Sequence, residues 1–235
     1  MINLEVIEVE HYTETLFRIR TERPRSYRFT AGEFVMIGLE DAPNRAYSLT
    51  SGPYDDYLEF YSIKVQDGPL TSKLQHIKVG DTIKVGDKPT GTLTLANLEL
   101  GGDLWLLATG TGIAPFISLL RDPETYDHFD QIHVYWSVRT SAELQAYDSF
   151  LQEQSIKYTA TVTQDPTWAY KKMRITHIIK SGEIAPNLEP KEHKIMICGN
   201  LEFNKEVAYM FDGWGFKEGT RKQAGNFVQE RAFVG

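Results

Sequence analysis

Residues 104–120 read LWLLATGTGIAPFISLL, and the rest of the chain is best read outward from them. The apolar run 104–108 has the length of a buried parallel strand. It stops at Thr109-Gly110-Thr111-Gly112, after which Phe116, Leu119 and Leu120 fall at helical spacing. Pro115 suits the first turn of that helix, where a missing N–H costs nothing. A strand, a glycine turn and a helix N-terminus leave backbone N–H groups converging on one point, which suits a phosphate. Glycine serves there because a Cβ would hold the anion away from the backbone. G-T-G-I-A-P keeps two glycines of the dinucleotide fingerprint and has Pro115 where the third would stand. Alone, the motif equally describes a plain strand-to-helix turn.

Downstream, strands alternate with helices. Strands are expected at 132–136, 158–163 and 194–198, each followed by a helix: 142–152, 176–181 and 203–211. With 104–108 leading to a helix at 115–121, this order implies a parallel sheet of about five strands with helices on both faces. Upstream, residues 1–98 are β-rich, with strand patterns at 4–6, 16–20, 34–39, 57–65 and 82–85. Turn signals such as Gly52-Pro53, Asp67-Gly68-Pro69 and Gly86-Asp87 separate them, and one short helix is expected at 71–76. Short, regularly punctuated strands favour a small antiparallel barrel. Gly101-Gly102 marks the change of pattern, so two domains are expected: 1–100, a β-barrel, and 101–235, a doubly wound α/β unit.

The chain has 235 residues, 41% hydrophobic and 24% charged, with a formal net charge of −7. That charge argues against general nucleic-acid or anionic-membrane binding. One cysteine excludes a disulfide framework and a four-cysteine iron–sulfur site. The N-terminal MINLEVIEVE offers no h-region and no apolar run reaches spanning length, so a soluble cytoplasmic protein is expected. Six histidines form no ligand cluster, and no metal is expected. The run Arg18, Arg20, Arg23, Arg25, Arg28 alternates with other polar residues and reads as a solvated surface, or alternatively as part of a docking face for an acidic partner.

Two further stretches carry chemistry. In Arg45-Ala46-Tyr47-Ser48 a guanidinium can fork onto a pyrophosphate, a phenol ring can cover a planar heterocycle and a hydroxyl can reach a ring nitrogen. Alone, the same four residues describe an ordinary half-buried strand start. Asp67-Gly68-Pro69-Leu70-Thr71-Ser72 is a second turn entering a helix. Alone, it reads as a plain capped turn.

Taken in order, R-x-Y-S, the glycine turn into a short helix, G-T-G-x-A-P, Cys198-Gly199 and a terminal aromatic resemble the ferredoxin–NADP⁺ reductase family, its bacterial ferredoxin/flavodoxin type most of all. The resemblance covers essentially the whole chain. It implies FAD in the barrel, with Arg45 on the pyrophosphate, Tyr47 stacked on the isoalloxazine and Ser48 near the reactive ring nitrogen. It implies that backbone N–H groups of Leu70, Thr71 and Ser72 cradle the phosphates, and that Ala232 and Phe233 cover the opposite flavin face. It implies NADP(H) in the second domain, with Gly110, Thr111 and Gly112 facing the nucleotide and Cys198 beside the nicotinamide carbon that gives up hydride. Ser48 and Cys198 are the residues expected at the reaction itself; without the family, Cys198 reads as a buried structural thiol.

The strand 132–136 leads to Ser137-Val138-Arg139, and no acid is expected near its end to bind a ribose 2′-hydroxyl. Arg139 offers a planar cation for a 2′-phosphate, and Arg174 matches a second arginine of the family. Where relatives carry a third, this chain has Gln164, with Lys171 or Lys172 as candidate substitutes. The expected activity is hydride transfer between NADP(H) and FAD and single-electron exchange with ferredoxin or flavodoxin. Two alternatives stay open: a reductase of this fold serving free flavin, an oxygenase or another redox protein, and a non-catalytic flavin- or nucleotide-binding module.

Overall fold

A computed structural model describes residues 1–184 and 188–230. The first unit comprises β1 (Ile2–His11), β2 (Leu16–Glu22), β3 (Phe34–Gly38), β4 (Arg45–Ser48), β5 (Tyr57–Ile63), the short helix α1 (Thr71–Leu74) and β6 (Thr82–Val85). Its six strands form one sheet in the order β4-β3-β6-β1-β2-β5, all neighbours antiparallel. The sheet curls until its two edges approach. Thr50 N–H donates to Glu59 O at 2.9 Å, and Tyr47 Oη meets Ser62 Oγ at 3.0 Å. Nearly closing a sheet in this way leaves few strand edges unpaired.

Gly101 and Gly102, both at positive φ, turn the chain into the second unit. It contains β7 (Asp103–Thr109), α2 (Ala114–Leu120), α3 (Glu124–Asp127), β8 (Gln131–Val138), α4 (Asp148–Glu153), β9 (Lys157–Val162), α5 (Ile175–Lys180), β10 (His193–Cys198), α6 (Leu201–Gly213) and β11 (Phe227–Gln229). The five strands are parallel, in the order β11-β10-β7-β8-β9. Alternation along β7 sorts the core. Leu104, Leu106 and Ala108 pack with α2 and α4, whereas Trp105 and Leu107 pack with α5 and α6. The first of these cores also takes in Leu16, Tyr61 and Leu93 of the barrel, so the two units share buried apolar surface.

Several expectations are corrected. The helix expected over 142–152 is broken: a 3₁₀ turn, Ser141–Ala146, precedes α4, and Tyr147 between them has φ −140°. Its phenol is fully buried and donates to Glu59 Oε1 at 3.0 Å, so a tertiary partner overrides helical periodicity. Strand β11 has no counterpart among the expected strands, because three residues carry no readable alternation. The arginine run is not wholly a solvated surface: Arg25 and Arg28 are exposed, but the other three are engaged by the barrel. Arg18 and Arg20 pair with Glu8 and the fully buried Glu59, and Arg23 donates to the carbonyls of Tyr27, Pro53 and Asp55.

Candidate active site

Two cavities lie where the units meet. The smaller, about 300 Å³, is lined by Arg45–Ser48, by Tyr61, Ser62 and Ile63 of β5, by Gly68–Thr71, and by Thr111 and Ala114 from the second unit. The larger, about 730 Å³, lies at the C-terminal ends of the parallel strands. β7 sits between β8 and β10, and the chain runs outward in both directions from it, which makes the β7/β10 crevice the topological switch point where open α/β sheets bind ligands. Ile63 and Thr111 line both cavities, so the two are contiguous.

In the smaller cavity, β4 is held by pairing with β3, Phe34 opposite Ser48 and Val35 opposite Tyr47. The Tyr47 ring is fixed edge-on against Phe60 and by the bond to Ser62, and burial raises its pKa, so the phenol stays neutral. The Arg45 guanidinium donates to Asn44 O at 3.1 Å and makes no ion pair among the described residues. At α1 the N–H groups of Leu70 and Thr71 have no acceptor among the described residues. Ser72 differs from the expectation: its N–H already donates to Gly68 O at 3.1 Å, and it does not line the cavity. The turn that presents the other two N–H groups is closed by this bond.

In the larger cavity, residues Gly110–Ile113 form a 3₁₀ turn that feeds directly into α2, anchored by Trp136 Nε1 donating to Gly110 O at 2.8 Å. Gly110 has φ +53°, and a Cβ built on it would meet no atom within 4 Å; it would project into open space beside the turn. Because Gly110 lines the larger cavity, that space is a candidate cradle for an anion. Gly112 is needed for another reason: its Cβ would lie 2.2 Å from Cys198 O. The β7 and β10 ends are therefore in backbone contact.

Comparison with known proteins gives the family. Residues 106–208 match the oxidoreductase NAD-binding domain model. The flavodoxin/ferredoxin–NADP reductase of Rhodobacter capsulatus is 44% identical over 98% of this chain and 92% of its own length. This chain belongs to the ferredoxin/flavodoxin–NADP reductase family. The ferredoxin–NADP reductase of Azotobacter vinelandii is 41% identical over 99% of the chain and 98% of its own length. A crystal structure of a ferredoxin–NADP⁺ reductase from Neisseria gonorrhoeae with bound FAD and NADP superimposes with a TM-score of 0.91 at 32% identity, covering 99% of this chain and 98% of that one.

The reductase brings Arg45, Tyr47, Ser48, Leu70 and Thr71 together in one cavity, and Gly110, Thr111, Gly112, Arg139 and Arg174 in the other. Cys198 is different. Its side chain is fully buried in the core beneath the larger cavity, and Gly199 and Asn200 supply the lining there. Burial pushes the thiol pKa well up, with the nearby Glu230 carboxylate adding to it. A water-soluble thiol reagent at pH 8 should therefore label Cys198 only after denaturation; rapid labelling of the folded protein would show an accessible thiolate. Ala232 and Phe233 lie outside the described residues.

An acid does stand near Arg139. Glu143 Oε1 is 3.6 Å from Arg139 Nε, and Glu143 lines the cavity while capping the 3₁₀ turn through Thr140. Lys171 pairs with Glu183, Lys172 donates to Pro166 O, and neither lines the larger cavity beside Gln164. The sequence reading also missed Tyr61, Ser62 and Ile63 as cavity walls. They looked like any strand, and only curling of the sheet brings β5 opposite β4.

Proposed function

We infer that this reductase holds FAD in the smaller cavity and NADP(H) in the larger, transfers hydride between them, and exchanges single electrons with ferredoxin or flavodoxin. The observation that carries this is the meeting of the two cavities at Thr111 and Ile63, which lets two planar rings lie in contact. Bound FAD supplies the conversion of two electrons into one-electron steps: hydride taken from NADPH releases NADP⁺, and the two electrons leave singly to two carriers, or the sequence runs in reverse.

Each side chain then has a task. Arg45 pairs with the pyrophosphate, and the Leu70 and Thr71 N–H groups donate to it. Tyr47 supplies a fixed face for the isoalloxazine, and the Ser48 hydroxyl reaches its edge. The Gly110–Gly112 turn takes the nicotinamide nucleotide's phosphates. Arg139 and Arg174 take the 2′-phosphate. Cys198 supports the nicotinamide subsite from beneath, through the Cys198 carbonyl packed on Gly112. No side chain needs to act as general acid or base, because hydride moves directly between stacked rings. No described helix is long and apolar enough to cross a membrane. A single buried thiol suits a reducing compartment, in keeping with a cytoplasmic site of action.

The purified protein should be yellow, release FAD on denaturation and be bleached by NADPH. Release of FMN instead, or bound FAD that neither NADPH nor NADH reduces, would overturn this reading. Steady-state rates with ferredoxin and flavodoxin should exceed those with free flavin; the reverse order would favour a flavin reductase.

A further inference from the structure

Strand β5 presents two different faces. Leu58 and Phe60 point into the barrel core, while Tyr61 and Ile63 pack into the core shared with the second unit. Glu59 lies on the same side as Tyr61 and Ile63, and its carboxylate is completely buried. Four groups converge on it: Arg20 Nε at 2.7 Å, Arg18 Nη1 at 3.7 Å, Arg121 Nη1 at 3.0 Å and Tyr147 Oη at 3.0 Å. Arg18 and Arg20 belong to β2 of the same barrel sheet. Arg121 and Tyr147 belong to the second unit, Arg121 as the C-cap of α2 and Tyr147 at the start of α4.

The surroundings tighten this junction. Arg121 also donates to Thr50 O at 3.1 Å, and Ser118 Oγ of α2 donates to Ser51 O at 2.7 Å. A Cβ on Gly52 would meet Arg121 Cβ at 2.7 Å, so the helix end rests directly on the barrel loop. A buried ion pair adds little net stability over apolar packing of the same shape. Its directional bonds do select one relative placement of the two units.

We propose that Glu59 is a positioning residue for hydride transfer, clamping the second unit to β5 through Arg121 at the end of α2 and Tyr147 at the start of α4. This rests on the reading of the two cavities given above. β5 and α2 both run from the clamp to the active site: β5 ends at Ile63, and α2 begins at Ala114, directly after the 3₁₀ turn that holds Thr111; Ile63 and Thr111 line both cavities. Seven residues of α2 span about 10 Å, so a tilt of a few degrees at Arg121 moves Thr111 by a sizeable fraction of an ångström. Hydride transfer is steep in distance, and a 1 Å misplacement costs on the order of 100-fold.

Wild-type reduction by NADPH in stopped flow first establishes the reaction. Arg121→Gln should then lower the limiting rate of flavin reduction about tenfold at saturating NADPH, with FAD content and NADPH Kd unchanged. Arg20→Gln removes a partner of the same carboxylate from the barrel side alone; it should lower Tm while leaving the limiting rate at the wild-type value. If Arg121→Gln does not fold, Tyr147→Phe keeps the ring packed on Tyr61, loses only the hydroxyl bond, and should show a smaller fall in the same rate. A wild-type limiting rate in the cross-unit variants, or an equal fall in Arg20→Gln, would overturn the proposal while leaving the hydride-transfer reading intact.

Discussion

Arg139→Ala should lower kcat/KM for NADPH by about 10- to 150-fold, the equivalent of the roughly 1.5–3 kcal/mol that a hydrogen bond to a charged group contributes. Arg139 is largely exposed at the cavity rim, so no buried contact is lost with it. Its pairing with Glu143 at 3.6 Å joins an exposed guanidinium to a mostly buried carboxylate whose oxygen already accepts from Thr140, so little of this is offset. Removing Arg139 also leaves Glu143 facing the incoming 2′-phosphate without a cation between them, which moves the loss toward the upper end of the range. Most of it should fall on KM, since the 2′-phosphate is remote from the hydride and binds equally in ground and transition states. NADH kinetics should barely change. The companion Glu143→Gln keeps an amide oxygen to accept from Thr140 and removes a negative charge, so its KM for NADPH should fall. Equal loss for both coenzymes in Arg139→Ala would remove Arg139 from the phosphate site.

The paired glycines of the G-T-G turn should separate under substitution. Gly112→Ala puts a Cβ 2.2 Å from Cys198 O and 2.6 Å from its carbonyl carbon, both backbone atoms held by the β7–β10 pairing of Ala108 with Cys198. Overpacking of this kind costs about 1–3 kcal/mol, or about 2–12 °C in Tm for a chain of this size. The turn also shifts, so NADPH-dependent reduction should fall on the order of 100-fold. Gly110→Ala meets nothing within 4 Å and carries only the strain of φ +53°, about 1–2 kcal/mol. Its methyl group projects into the cradle and should weaken NADPH binding with a smaller change in Tm. Differential scanning calorimetry and stopped-flow reduction on both variants check this. A Gly112→Ala protein with wild-type Tm would contradict the close approach of the two strand ends.

The order of elements was readable wherever pattern and length agreed. Strands β7, β8 and β10 follow largely apolar runs, and Gly101-Gly102 marks the change from the barrel pattern. R-A-Y-S, G-T-G and Arg139 each carry chemistry that suits a cofactor or phosphate but alone also fit an ordinary strand or turn; the structure places them on the walls of the two cavities. Glu143 escaped because a capping residue four positions on gives no sign that it faces a cavity. Ser72 was assigned an N–H that the turn itself uses.

By itself the sequence determined the two-unit architecture and the parallel sheet; the two nucleotide-bearing cofactors followed only from the family resemblance of its motifs taken in order. Architecture and motifs depend on local patterns of apolar residues, glycines and charges, which act over a few positions. Tertiary structure alone decided that β5 lines both cavities, that Tyr147 interrupts a helix to reach Glu59, and that Arg18 and Arg20 serve a buried carboxylate. Each of these joins residues far apart in the chain. A carboxylate enters the interior only where several donors converge on it, and no local pattern records where such donors will meet.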